Sequence, residues 1–274
     1  QSQPVVSRHL KVLCDANLID RFREGQRVFY RLSDLGHGEG ATARKLLALL
    51  PKGIPEIEID LERLKGIMDL RAEEAEKYFR DNADVWDTVR SLYIDESEIE
   101  GALLSRFPVQ CPSLLDIGTG TGRVLQLLAH RVDRGVGIDS SYEMLSVARA
   151  NLERDSIKHC HVRHADMYRL GRFDCEFDAV VIHQVLHFAQ NPELAIREAA
   201  RVLRPDGLLF LIDFAPHGLE FLRDNHAHRR LGFNDAEISS WGQSSDLEVT
   251  DVQSLLGKPL TVKIWIFLKK PRLG

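Results

Sequence analysis

The sequence predicts an α/β protein built on a doubly wound, seven-stranded sheet that finishes on an antiparallel hairpin, preceded by a smaller helix-and-hairpin module and a helical linker. Three observations carry this. The apolar run Leu114-Leu115-Asp116-Ile117 enters a loop with Gly118, Gly120 and Gly122 at every second position. A helical pattern leaves that loop at Arg123, and Val136-Gly137-Ile138-Asp139 closes the next apolar run on an acid. Strand, glycine loop, helix, strand and acid is the order of a nucleotide-type cofactor site. Apolar runs and helical patterns then alternate as far as residue 213, which demands a parallel sheet. Finally, residues 247–252 and 260–268 are strand patterns with no helix between them, so they pair antiparallel.

Composition bounds the classes. A chain of 274 residues with 44% hydrophobic content accommodates one large α/β domain and a smaller module. A net charge of -5 excludes a nucleic-acid binder that is basic throughout, while leaving room for a local basic patch. Cys14, Cys111, Cys160 and Cys175 form no Cys-x-x-Cys pair, so neither a disulfide framework nor a thiolate metal site is signalled. No apolar stretch reaches the roughly 18 to 20 residues a bilayer requires, and no signal-peptide pattern opens the chain, which predicts a cytoplasmic protein without membrane contact.

The first element is a helix with Ser2 at its N-cap and Pro4 in its first turn. The chain starts at Gln1 on the brink of this helix, which implies a preceding segment. Gln3, Ser7, Arg8 and Lys11 share one arc. Val5, Val6, Leu10, Val12 and Leu13 fill the opposite arc, which is expected to pack, with His9 as a core histidine. Two β-patterned runs, 18–23 and 27–32, flank Glu24-Gly25-Gln26 as a hairpin. Helix and hairpin together resemble the recognition helix and wing of ArsR-type repressors, over about half of that domain. The resemblance implies DNA binding, with Gln3, Ser7 and Arg8 at base edges and Lys11, Arg23 and Arg27 at phosphates. It also implies a dimer on paired half-sites. Retention of the fold for dimerisation or protein contact is the alternative, and metal sensing has little support from Cys14 and His9. This partial module spans 1–36 and a helical linker 37–60, with the cofactor domain over 61–274.

In the linker, residues 43–50 read as a leucine-rich helix stopped by Pro51, with Gly53-Ile54-Pro55 as a break. From Leu61, the residues Leu64, Met68, Ala72, Ala75, Phe79, Trp86 and Val89 recur at helical spacing. Tyr78, Phe79 and Trp86 are core packing or a lid ahead of the cofactor domain.

Within that domain a helix over 144–152 leads to a strand at 160–163. Buried strands at 177–182 and 207–213 bracket a helix over 192–203. Asp116-x-Gly118-x-Gly120-x-Gly122, Asp139 after the second strand, Asp166-Met167 after the third, and Leu203-Arg204-Pro205-Asp206-Gly207 before the fifth resemble class I methyltransferases. A dinucleotide dehydrogenase needs glycine where Arg123 stands. The resemblance implies S-adenosyl-L-methionine as methyl donor and S-adenosyl-L-homocysteine as product. Asp116 would take the ammonium, and Gly118, Thr119, Gly120 and Gly122 the amino-acid part. Asp139 and Ser140 would hold the ribose, with Asp166, Met167 and Met144 around the adenine, and His183 beside the cofactor.

The acceptor's groups are sought at the carboxyl ends of the fourth and fifth strands: His183, Gln184 and His187 on one side, Asp213 and His217 on the other. His187 is the first choice of base for a hydroxyl, amine or thiol, with His183, Asp213 and His217 as further catalytic candidates. The polar segment 223–233 is expected to cover the acceptor pocket. Neither its histidines nor His159-x-His161-x-x-His164 has diagnostic metal spacing, so no metal is expected. The absence of cysteine after the fourth strand disfavours arsenic as substrate. Two functions stay open: a methyltransferase of a small molecule fused to a DNA-binding module, or a regulator whose methyltransferase-like domain senses S-adenosylmethionine or S-adenosylhomocysteine without turnover.

Overall fold

In the computed structural model, the structure describes residues 2–24, 27–32, scattered positions between 47 and 81, and 96–271 apart from 172 and 174. The chain divides into two compact units, residues 1–72 and 73–274.

The first unit opens with α1 (Gln3–Asp15), and β1 (Ile19–Glu24) pairs antiparallel with β2 (Arg27–Leu32). Ser2 takes the extended N-cap backbone, but its side chain makes no cap bond; its carbonyl accepts from the Val5 and Val6 amides. The register closes on Glu24↔Arg27, a two-residue connection. Two expectations are corrected. The apolar arc does not pack: Val5, Val6, Val12 and Leu13 are all exposed, and His9 is exposed instead of a core histidine. Of the arc only Leu10 is half-buried, so helical periodicity marks a face that the described elements of this unit leave largely open. Residues 57–64 are helical, starting ahead of the expected Leu61, with Leu61 and Leu64 exposed. Tyr78, Phe79, Trp86 and most of the 43–50 segment lie outside the described residues.

The second unit is a seven-stranded sheet: β3 (Cys111–Ile117), β4 (Val132–Asp139), β5 (Cys160–His164), β6 (Phe177–His183), β7 (Leu203–Phe214), β8 (Leu247–Leu256) and β9 (Thr261–Lys269). Their order is β5-β4-β3-β6-β7-β9-β8, parallel except for β9, which runs antiparallel to both β7 and β8. β3 and β6 are buried along almost their whole length, as apolar runs covered on both faces must be. Chain order reverses between them, so a crevice is expected where their carboxyl ends meet.

Alternate residues feed two cores. Leu114, Val181, Phe210 and Ile264 face α2 (Glu96–Arg106) and α3 (Arg123–Leu128) through Ile99, Leu103 and Leu125. Leu115, Ile117, Val180, Leu211 and Phe267 face α5 (Pro192–Val202) and α7 (Asp235–Gln243) through Ile196, Ala199 and Trp241. Between them in chain order lie α4 (Tyr142–Arg154) and the short α6 (Phe221–His226). Helices α2, α6 and α7 were not expected. Among the described residues no helix is long and apolar enough to cross a membrane.

Candidate functional site

The loop between β3 and α3 is set by backbone that L-residues with side chains rarely adopt. Gly118, Gly120 and Gly122 have φ of +71°, +52° and +83°. At Gly118 a Cβ would lie 2.4 Å from Val185 Cγ2, because the loops after β3 and β6 touch at the reversal of strand order. Asp116 is 1% exposed, and its Oδ2 accepts from the Thr119 hydroxyl at 2.6 Å, while the Thr119 amide donates to the Ile138 carbonyl at 2.8 Å. The loop is thereby fastened to both strands beneath it.

Asp139 completes the fastening. Its Oδ2 accepts from the Gly120 amide and its Oδ1 from the Ser141 amide, each at 2.9 Å. Burial pushes its carboxyl above the ordinary aspartate value; amide bonds from Ser141, Gly120 and Ser140 work against that rise. Ser140 is exposed, while Ser141 caps α4 by accepting from the Met144 amide at 3.2 Å. Met144 itself is 2% exposed. Arg123, which ends the loop, is held by Glu100 through bonds of 2.5 and 2.6 Å that tie α3 to α2. Beyond β5, Asp166 is exposed and turns its Oδ1 to the Tyr168 amide at 2.9 Å; Met167 is half-buried against the α5 side of the core. Tyr142 stacks on His164 at 4.2 Å between centroids.

The other side of the crevice brings expected residues together. β6 ends on half-buried His183, and a 3-10 turn, Leu186–Phe188, follows. His187, 2% exposed, donates its backbone amide to Asp213 Oδ2 at 3.2 Å and pairs its Nδ1 with Asp213 Oδ1 at 2.8 Å. Asp213, wholly buried near the end of β7, also accepts from the Phe214 amide at 2.8 Å. His217 packs edge-on to Phe214 at 5.9 Å, and burial followed by the nearby His187 lowers its pKa. The 223–233 segment closes on this cluster: the Arg229 and Arg230 amides donate to the His187 carbonyl at 2.8 and 3.1 Å, and the Phe233 amide to the Phe214 carbonyl at 2.9 Å. His228, carried by that segment, lies 4.1 Å from the His187 ring centroid. It was legible only as one polar residue of a loop, because nothing in its spacing places it against His187. Among the described residues no group of His, Cys, Asp and Glu is arranged to hold a metal ion. His159 instead gives its Nε2 to the Ala129 carbonyl.

Residues 115–211, from β3 through β7, match the family described as "Methyltransferase domain". By that match and its strand order, this stretch is similar to class I methyltransferase domains. Its methyl donor is S-adenosylmethionine. The chain is 27% identical over 237 residues to a ubiquinone biosynthesis O-methyltransferase of Hahella chejuensis, covering 80% of this chain and 92% of that protein. It is 27% identical over 163 residues to YcgJ of Bacillus subtilis, an uncharacterized methyltransferase, covering 56% of this chain but only 63% of the relative. Magnesium protoporphyrin IX methyltransferase of Synechocystis PCC 6803, solved with bound SAH, superposes with a TM-score of 0.53 over 64% of this chain and 81% of its own, at 18% identity.

The methyltransferase domain's own residues fit that donor. Its ammonium and ribose hydroxyls call for acceptors, and its amino-acid part for close backbone approach. Asp116, the left-handed glycine loop and Asp139 stand in that order across the ends of β3 and β4, with Asp166 after β5. The α1 arc Gln3, Ser7, Arg8 and Lys11 is exposed in the first unit, where Arg23 and Arg27 lie in β1 and β2 beside the hairpin turn.

Proposed function

We propose that this chain transfers the methyl group of S-adenosylmethionine to a hydroxyl of a small molecule, and that its first unit is a partial winged helix that contacts DNA. The buried His187–Asp213 pair at the ends of β6 and β7 carries the first part. An oxygen nucleophile has to lose a proton as its bond to carbon forms, and a positioned imidazole supplies the base. The name of the Hahella relative, an O-methyltransferase, supports the same acceptor atom.

The roles follow from the bonds. Asp213 accepts from Nδ1–H, which fixes the tautomer and leaves His187 Nε2 to receive the acceptor's proton. The carboxylate then faces the imidazolium it stabilises. Asp116, Gly118, Thr119, Gly120, Gly122, Asp139 and Ser140 hold the donor, with Met144, Asp166 and Met167 toward its adenine and His183 between donor and acceptor. S-adenosylmethionine supplies an electrophilic methyl on a sulfonium, so the protein's task is alignment and proton removal. Cys111 and Cys160 oppose arsenic as substrate: both sit in the core, where burial pushes their thiols up to about 11.

Incubating the purified protein with methyl-labelled S-adenosylmethionine and small-molecule extracts should label a metabolite, and replacing Asp139 or Gly120 should abolish it. Donor binding without any turnover overturns the enzymatic reading. A second reading, a regulator that senses the donor or its product, is favoured by the exposed polar arc of α1 beside a hairpin bearing Arg23 and Arg27. Gln3, Ser7 and Arg8 would then read base edges, and Lys11, Arg23 and Arg27 phosphates. Operator affinity that changes with S-adenosylhomocysteine at fixed salt supports sensing, and identical affinities exclude it. The division 1–36, 37–60 and 61–274, a homodimer and a cytoplasmic location belong to this proposal.

A further inference from the structure

Two histidines beyond the His187–Asp213 pair have buried ring nitrogens with no hydrogen-bond partner among the described residues: His217 Nε2 and His228 Nδ1. Native proteins pair such atoms, because a stranded buried group keeps its full desolvation cost. The tautomer of His217 follows from its other nitrogen. Nδ1 accepts from the Leu219 amide at 3.3 Å, so in the neutral ring Nε2 carries the hydrogen and is a donor. His228 lies face to face with Phe214, at 5.8 Å and 20°, and tilted against His187 at 4.1 Å; His217 meets the other geometry of Phe214, edge-on.

Both rings are kept neutral by burial and by neighbouring His187. One buried cluster therefore holds three imidazoles in two conditions. His187 has a carboxylate to stabilise its cation, whereas His217 and His228 have burial and His187 itself against theirs. The first is equipped to take a proton, and the other two to hold a neutral polar group.

We propose that His228 Nδ1, together with His217 Nε2–H, binds a second hydroxyl of the acceptor next to the one that is methylated. With His217 Nε2–H as donor and His228 in the tautomer that leaves Nδ1 its lone pair, a hydroxyl answers both at once. This rests on the reading of the domain as a hydroxyl methyltransferase with His187 as base. It adds that the acceptor carries two neighbouring hydroxyls beside an apolar body, since Phe188 and Phe214 pack on His187 and Phe188 also meets His228.

Phenol and salicyl alcohol, which adds a hydroxymethyl beside the phenolic hydroxyl, serve as probes with methyl-labelled S-adenosylmethionine. The wild-type protein should favour salicyl alcohol in kcat/KM by about tenfold, the worth of one satisfied buried hydrogen bond. His228→Phe should collapse that ratio toward unity through KM of salicyl alcohol. His228→Asn, whose amide reaches the position of Nδ1, should restore part of it. Melting temperature and S-adenosylhomocysteine affinity report that each variant is folded. Methylation of both probes with no preference, or with a preference that His228→Phe leaves intact, overturns the role of His228 alone. Failure to methylate either probe while S-adenosylhomocysteine binds overturns the hydroxyl-methyltransferase reading and this inference with it.

Discussion

Replacing Asp213 by asparagine changes one atom in the wholly buried carboxylate that organises the acceptor side. Three donors converge on it: His187 Nδ1–H and the Phe214 amide on Oδ1, both at 2.8 Å, and the His187 amide on Oδ2 at 3.2 Å. An amide offers one oxygen and one NH2. With the oxygen in the Oδ1 position, two bonds survive and NH2 opposes the His187 amide; the reverse orientation strands two donors. Even the better orientation leaves a buried backbone N–H unmet, which costs about 1–3 kcal/mol. Removal of a buried charge offsets part of this, so the net loss is about 2 kcal/mol. For a domain of this size the melting temperature then falls by roughly 4 to 8 °C. The ring loses the charge that stabilises its protonated form, so kcat falls by about two to four orders of magnitude while donor affinity holds. Thermal unfolding and single-turnover methyl transfer read the two effects separately. A variant that melts within about 1 °C of the wild type and keeps its kcat refutes both the bonding and the assignment of His187 as base.

Three further outcomes are expected. Gly118→Ala should destabilise by at least about 1 kcal/mol from the left-handed backbone, with more from the 2.4 Å approach to Val185; adding Val185→Ala relieves only the second part, and unchanged melting would contradict the loop geometry. The raised pKa of Asp139 means that the folded protein takes up a proton before the unfolded chain does. Stability is therefore gained as pH falls through the raised value and lost as pH rises through it; Asp139→Asn should flatten that slope, and calorimetric titrations of the wild type should show S-adenosylhomocysteine affinity falling as pH is lowered through the same raised value. With thiols at about 11, Cys111 and Cys160 are about one part in a thousand thiolate at pH 8, so iodoacetamide should leave both unmodified in the folded protein and alkylate both in urea.

The sheet was legible because its strands are nearly pure apolar runs separated by turn chemistry, and β3 and β6 are buried on both faces as such runs require. The donor side was legible for a related reason: its residues follow strands one by one, so chain order carries their arrangement. Helices α6 and α7 escaped because they are short, and α2 because its few buried residues, Ile99, Ala102 and Leu103, make only a narrow apolar face between charged neighbours. On the acceptor side His187 and Asp213 were legible as strand-end residues, but His228 was not, since it reaches His187 only through the return of the chain after α6. The apolar arc of α1 shows the converse: its periodicity predicts a packed face, whereas Val5, Val6, Val12 and Leu13 are exposed and only Leu10 of the arc is half-buried.

The stretch between β7 and α7 is held by backbone bonds as well as by buried side chains. Two consecutive amides, of Arg229 and Arg230, dock on the His187 carbonyl, and Gly232 at φ +85° passes so close to the Ala215 carbonyl that a Cβ would stand 2.1 Å from its oxygen. Those backbone contacts constrain the path of the chain, and the wholly buried Leu222 and Phe233 anchor it in the two cores, so exchange is confined to exposed positions such as Asp224 and Asn225. A lineage could therefore change which acceptor it methylates by rewriting this stretch, while the donor loop two strands away is inherited untouched. For protein engineering the same division defines a cassette: keep Leu222, Phe233, the two adjacent amides and the left-handed glycine, and vary the exposed positions.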